Sequence, residues 1–165
     1  THIPSDFYDD KNNFNLSKFI NNYKNYVKRR GFKPFMEKDE NGDYKSIKES
    51  ALIYSFETFI TAIVHELSGK IYREADTGLG KSDMIINIDN QEYLIETKVY
   101  SGVKRFESGK EQLAYYAESL DLKKAVYLVF LANRARISET VKEQTEMINN
   151  IEISTFLIKY DMTKW

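Results

Sequence analysis

The sequence predicts an α/β fold, a mixed β-sheet of about four or five strands flanked by helices. Three observations carry that expectation. Helix-spaced and strand-like segments alternate along the chain, a hairpin signal is centred on Asp89-Asn90, and Ala125–Leu131 is a nearly continuous apolar run of the kind a doubly covered strand shows. With 165 residues, 42% of them hydrophobic, the chain is long enough for one packed domain and a short appendage.

Residues 1–46 read as an N-terminal helical and irregular extension, polar and aromatic, with one helix near Leu16–Arg29. Its tyrosine-rich stretch Asn22-Tyr23-Lys24-Asn25-Tyr26 suits helix packing better than base stacking. The turn-rich Glu40-Asn41-Gly42-Asp43 follows, and the main domain spans residues 47–165. From Ile47 to Leu67 the apolar residues Leu52, Phe56, Phe59, Ile60, Ile63, Val64 and Leu67 recur at helical spacing, ended by Ser68-Gly69. Lys70–Ala75 reads as a short strand and 76–82 as a glycine-containing loop. Asp83–Ile88 and Glu92–Tyr100 are strands joined by the tight turn Asp89-Asn90. A helix over Ser108–Leu120, the apolar strand, a polar helix over Ser138–Asn149 and a last strand over Ile153–Tyr160 complete the order. No internal repeat is evident.

Composition narrows the function classes. There is no Cys, so neither disulfides nor a cysteine-based zinc site holds the fold, in keeping with an expected cytoplasmic location. No apolar run approaches the roughly 18–20 residues of a membrane helix. The formal net charge of −1 argues against strong sequence-independent coating of nucleic acid. It still allows a nuclease, because bound divalent cations offset active-site carboxylates.

The hairpin carries the chemistry. If Asp89-Asn90 form a two-residue turn, Ile88 faces Gln91, and counting outward five residues on each side brings Asp83 opposite Glu96. Facing side chains have Cβ atoms roughly 4.5–5.5 Å apart. Lys98, two residues beyond Glu96, leaves the same sheet face. Two carboxylates that close repel, and one is expected to hold a proton unless a hard divalent cation such as Mg²⁺ or Mn²⁺ joins them. An amine beside such a pair can orient or deprotonate water, which suits metal-assisted phosphodiester hydrolysis.

A third acid is sought on the long helix. At 100° per residue the apolar stripe centres near Phe56, Ile63 and Leu67. Glu49 then falls at the middle of the stripe and Glu57 at its edge. Glu66 lies at the opposite edge, and a strand running back along the helix carries Asp83 away from it. Glu49 is the first choice and Glu57 the alternative.

Glu74-Ala-Asp-Thr-Gly-Leu-Gly-Lys-Ser-Asp83, Ile95-Glu96-Thr97-Lys98 and Gln112-Leu-Ala-Tyr-Tyr116 together resemble the motifs of the PD-(D/E)XK nuclease superfamily. The likeness is closest to the RecB-like nuclease domains at the C-terminus of bacterial AAA-ATPase-like proteins, and it runs from about Lys48 through Leu131. It implies a restriction-endonuclease-like fold, DNA as substrate, Mg²⁺ or Mn²⁺ as cofactor, and a product that keeps a 5′-phosphate. An ATPase domain or subunit is an implied partner. Asp83 and Glu96 would bind metal with Glu49, matched through Lys48-Glu49, and with the Thr97 backbone carbonyl. Lys98 would assist the attacking water, and Gln112 and Tyr116 would shape the site and approach DNA. Ser82 stands where the motif usually has Pro, and Lys81 where an Arg is common; neither departure removes a ligand.

Each feature has a plainer reading. Asp83, Glu96 and Lys98 could form a cross-strand ion-pair ladder on a solvated face, an arrangement that contributes little. Gln112 and Tyr116 could decorate a helix, and Glu49 could be an early-helix acid favoured by the dipole. Lys104, Arg105 and Lys110, after the third strand, suit either phosphate contacts or a solvated loop. Gly-Leu-Gly-Lys-Ser lacks phosphate-loop spacing and precedes a strand, so nucleotide binding there is rejected. His65, opposite the apolar stripe, receives no role. A nuclease fold that binds nucleic acid or a partner protein without cutting is the alternative function.

Overall fold

The structure, a computed structural model, describes residues 6–73 and 83–161. The expected glycine loop and Lys81 therefore lie outside the described residues. The elements run α1 (Leu16–Arg30), a single 3-10 turn (Lys33–Phe35), α2 (Glu49–Glu66), β1 (Lys70–Arg73), β2 (Asp83–Ile88), β3 (Gln91–Val99), α3 (Val103–Ser119), β4 (Lys124–Ala132), β5 (Gln144–Ile148) and β6 (Ile151–Tyr160). Among the described residues no helix is long and apolar enough to cross a membrane.

Two compact units are formed: residues 6–70 with 88–90, and residues 71–73, 83–87 and 91–161. The sequence reading set a boundary near residue 47; the units divide after α2, which packs with the N-terminal segment. In the first unit Asn15 caps α1 by accepting from the Lys18 N–H, and Gly31 ends the helix at φ 60°. Tyr23 meets Phe56 and Phe59 of α2 with ring centroids 5.0 and 5.2 Å apart, and its hydroxyl shares a 3.1 Å hydrogen bond with Ser55. The tyrosines of α1 are thus packing residues. Two loops of this unit are built alike. Asp9 and Asp39 each accept the N–H groups two and four residues onward at 2.9 Å.

The second unit contains a six-stranded sheet in the order β1-β2-β3-β4-β6-β5. β3, β4 and β6 are parallel, with Glu96 beside Tyr127 and Tyr127 beside Thr155; β5 is antiparallel to β6. α3 is the crossover that parallel pairing of β3 and β4 requires. Its apolar side packs on one sheet face, where Phe106, Leu113, Ala114 and Ala117 meet Leu94, Ala125, Tyr127, Val129 and Ile153. β4 is buried from Ala125 to Leu131, as a continuous apolar run demands.

One expected element is corrected. Residues 144–148, expected to belong to a polar helix over Ser138–Asn149, form edge strand β5. Asn149 and Asn150 both adopt left-handed backbone, φ 50° and 66°, which is the type I′ turn that joins β5 to β6 with Ile148 opposite Ile151. The stretch has no stripe of apolar residues at helical spacing, and pairing along β6 decides its conformation. The sheet consequently has six strands rather than four or five.

Candidate functional site

The hairpin β2–β3 positions the acidic residues. Asp89 and Asn90 have φ 54° and 64°, the same two-residue turn as Asn149-Asn150. By that geometry Ile88 faces Gln91, and Asp83 faces Glu96. Both carboxylates are buried, with 5% and 9% of their surface exposed. Glu96 lies beside Tyr127 in the β3–β4 register, so it shares the sheet face that α3 covers. Lys98 leaves the same face and is half-buried. Asp83 starts β2, and Lys98 sits one residue from the end of β3. The group therefore lies toward the carboxyl ends of the parallel strands, where open α/β sheets bind ligands.

Burial and the nearby Asp83 push the Glu96 carboxyl up to about 8, and Lys98 only partly offsets them. At neutral pH Glu96 therefore tends to keep its proton. The Tyr127 phenol is raised above its ordinary value, first by burial and then by Glu96 and Glu107, so it is neutral and serves as a donor. Its Oη donates to the Phe106 carbonyl of α3 at 3.1 Å. A solvated ion-pair ladder is not what this burial describes.

The other candidate residues are dispersed. Glu49 is the first residue of α2 and exposed, although the helical wheel set it at the middle of the apolar stripe; within α2 burial begins at Ala51. Glu57 is half-buried in the middle of α2. Both belong to the first unit. Among the described residues no group of three or more His, Cys, Asp or Glu side chains is gathered as a metal-holding set. Thr97 is buried on the face opposite Glu96. Gln112 is exposed, whereas Tyr116, one turn on, is buried in the core beneath α3. Lys104 and Arg105 are exposed in the first turns of α3, which begins five residues earlier than Ser108.

Lys110 differs most from expectation. It is 2% exposed, its ammonium ties α3 to β5 through Glu146 at 3.1 Å, and it also pairs with Glu107 at 3.3 Å. Two carboxylates and the Phe106 ring, 4.8 Å away, surround a cation that the sequence placed in reach of phosphate. As a surface phosphate contact it is corrected: here it is a buried structural cation.

Sequence reasoning missed Tyr127 and Gly109. A Cβ built at Gly109 would overlap Tyr127 Oη and come within 3.0 Å of Lys98 Nζ. A glycine inside a helical pattern was a readable signal of close approach. Tyr127, by contrast, is one aromatic in an apolar strand, and only the β3–β4 register sets it beside Glu96.

Fold and site together define a mixed α/β domain whose hairpin buries a facing carboxylate pair beside a lysine. The chain belongs to the family described as "Domain of unknown function (DUF8371)", whose model matches residues 14–134, from just before α1 to the turn after β4. No curated protein and no solved structure matches it.

Proposed function

We propose that this protein is a divalent-metal-dependent nuclease that hydrolyses DNA phosphodiester bonds at Asp83, Glu96 and Lys98. One observation carries the reading: two buried carboxylates face each other across a hairpin, with a lysine on the same face. Burial of like charges is unfavourable, as the raised Glu96 pKa expresses, and a hard cation bound between them reverses the cost. The donor set fits Mg²⁺ or Mn²⁺, which take oxygen ligands. Asp83 and Glu96 would hold the ion, with the Thr97 carbonyl as a further oxygen. When bound, the ion would supply stabilisation of charge on the phosphoryl oxygens.

The protein's own groups do the rest. Lys98 orients the attacking water and neutralises a non-bridging phosphate oxygen next to it. α3 and the apolar residues around Tyr127 keep bulk water from the carboxylates, which strengthens each charge interaction there. Lys104 and Arg105 at the start of α3, and Arg134 and Arg136 after β4, are exposed in segments leaving the carboxyl ends of β3 and β4. They supply the cations that a nucleic-acid backbone needs close to the site.

The test is cleavage of single-stranded, duplex and branched DNA by wild type and Lys98→Ala in Mg²⁺, Mn²⁺ or EDTA. Cutting that requires metal and falls by a hundredfold or more in the variant is the expected result, as for loss of a positioned catalytic group. Metal binding without cleavage of any substrate would shift the reading to a module that binds nucleic acid or a partner protein.

A further inference from the structure

We propose that Gly109 and Tyr127 form a seat that holds the Lys98 ammonium beside Glu96, making both of them positioning residues for the reaction at the acidic pair. The proposal rests on the reading of Lys98 as the water-orienting amine.

Gly109 lies inside α3, where glycine weakens a helix relative to alanine. Space explains its presence. The added Cβ would overlap Tyr127 Oη, and it would also crowd Lys98 Nζ, at 3.0 Å, and Tyr127 Cζ, at 3.1 Å. At Gly109 the helix backbone therefore comes down onto the sheet where the phenol of β4 and the amine of β3 converge. Tyr127 is fully buried, and its hydroxyl is tied to the Phe106 carbonyl three residues before Gly109, so the phenol has one orientation. In the β3–β4 register Tyr127 is the neighbour of Glu96, and Lys98 is the neighbour of Val129 on the same face. The seat thus has a floor of β4 side chains, a wall of phenol and a roof of helix backbone.

A lysine has four side-chain torsions and large rotamer freedom. A catalytic amine left free samples many positions that cannot orient water. Confinement by Gly109 and Tyr127 removes that freedom before substrate arrives, and a displacement of about 1 Å at such a group costs on the order of a hundredfold in rate.

The experiment compares Gly109→Ala, Tyr127→Phe and the double variant with wild type. Thermal unfolding first establishes that each is folded. Metal-dependent DNA cleavage is then measured as kcat and KM, and the mobility of the Lys98 side chain is followed by NMR of ¹⁵N,¹³C-lysine-labelled protein, with the signal assigned through Lys98→Ala. Gly109→Ala is expected to lower kcat by roughly ten- to a hundredfold with KM for DNA little changed. Tyr127→Phe removes the atom that the new Cβ would overlap but leaves its crowding of Lys98 Nζ, so the double variant should recover thermal stability relative to Gly109→Ala while its kcat stays below that of wild type. The Lys98 signal should report a restricted side chain in wild type and a displaced or more mobile one in the single variants. If Gly109→Ala keeps wild-type kcat and Lys98 mobility, the seat is wrong while the nuclease reading stands. If no protein cuts DNA yet Lys98 mobility responds as described, the seat stands and the nuclease reading fails.

Discussion

Glu96 shows what a single residue adds and what it costs. Its carboxyl is raised to about 8 in the folded chain, against an ordinary value of 4.5. Below the lower value folded and unfolded forms are both protonated and the group is neutral in its effect. As pH rises from about 4.5 toward 8 the unfolded chain loses this proton and the folded one keeps it, so stability falls. Above about 8 the loss is complete, at a few kcal/mol. In EDTA, thermal unfolding of wild type should therefore show a lower Tm at pH 9 than at pH 5, and Glu96→Gln should remove most of that difference. Added Mn²⁺ should raise the wild-type Tm at pH 9 and leave the variant nearly unchanged. A Tm that is flat with pH in wild type, or a variant with an unaltered slope, would remove the charge conflict on which the metal site rests. This much was legible in the sequence, since opposite placement on a two-residue hairpin requires two carboxylates to meet. Their burial was not, because it depends on α3 lying over that face.

Elements carry the next level of explanation, and here two-residue turns decide more than propensity. Asp89-Asn90 was legible as a turn because two strand-like runs flank it, and the observed left-handed pair makes it type I′. Asn149-Asn150 is the same device, yet the preceding residues are polar and helix-compatible, so pairing with β6 overrides local preference there. Asn90→Val should cost about 1 kcal/mol or more, since a β-branched residue is strained at φ 64°, whereas Asn90→Gly should be neutral or stabilising. Chemical denaturation gives both values, and equal stability of the valine variant would contradict the turn assignment. Metal binding offers a second reading of the same pair. The turn sets Asp83 opposite Glu96, so the valine variant should also lose Mn²⁺ affinity, and the glycine variant should keep it. Lys110 illustrates the opposite failure of legibility. A lysine in a helix beside two other cations reads as surface, and only the hairpin that sequence reasoning missed supplies Glu146 as its partner.

At the scale of the whole molecule, charge and topology must be weighed together. The chain carries 24 basic and 25 acidic residues, so attraction to a polyanion cannot come from net charge. It must come from placement, and β3 and β4 end where Lys104, Arg105, Arg134 and Arg136 begin the next segments. The sequence shows these residues as scattered cations; the parallel pairing of β3 and β4 gathers their segments at one end of the sheet. If these four neutralise phosphates, the affinity for duplex DNA should fall with salt at a log–log slope of roughly −3 to −4, far shallower than that of proteins coated with lysine. Arg134→Ala with Arg136→Ala should reduce the slope by about 2 and weaken binding alike across sequences, because phosphate contacts carry no base information. Measured in EDTA with Lys98→Ala, the slope reports binding free of cleavage. An unchanged slope in the double variant would move the backbone contact away from the β4 end and leave the first turns of α3 as its remaining support.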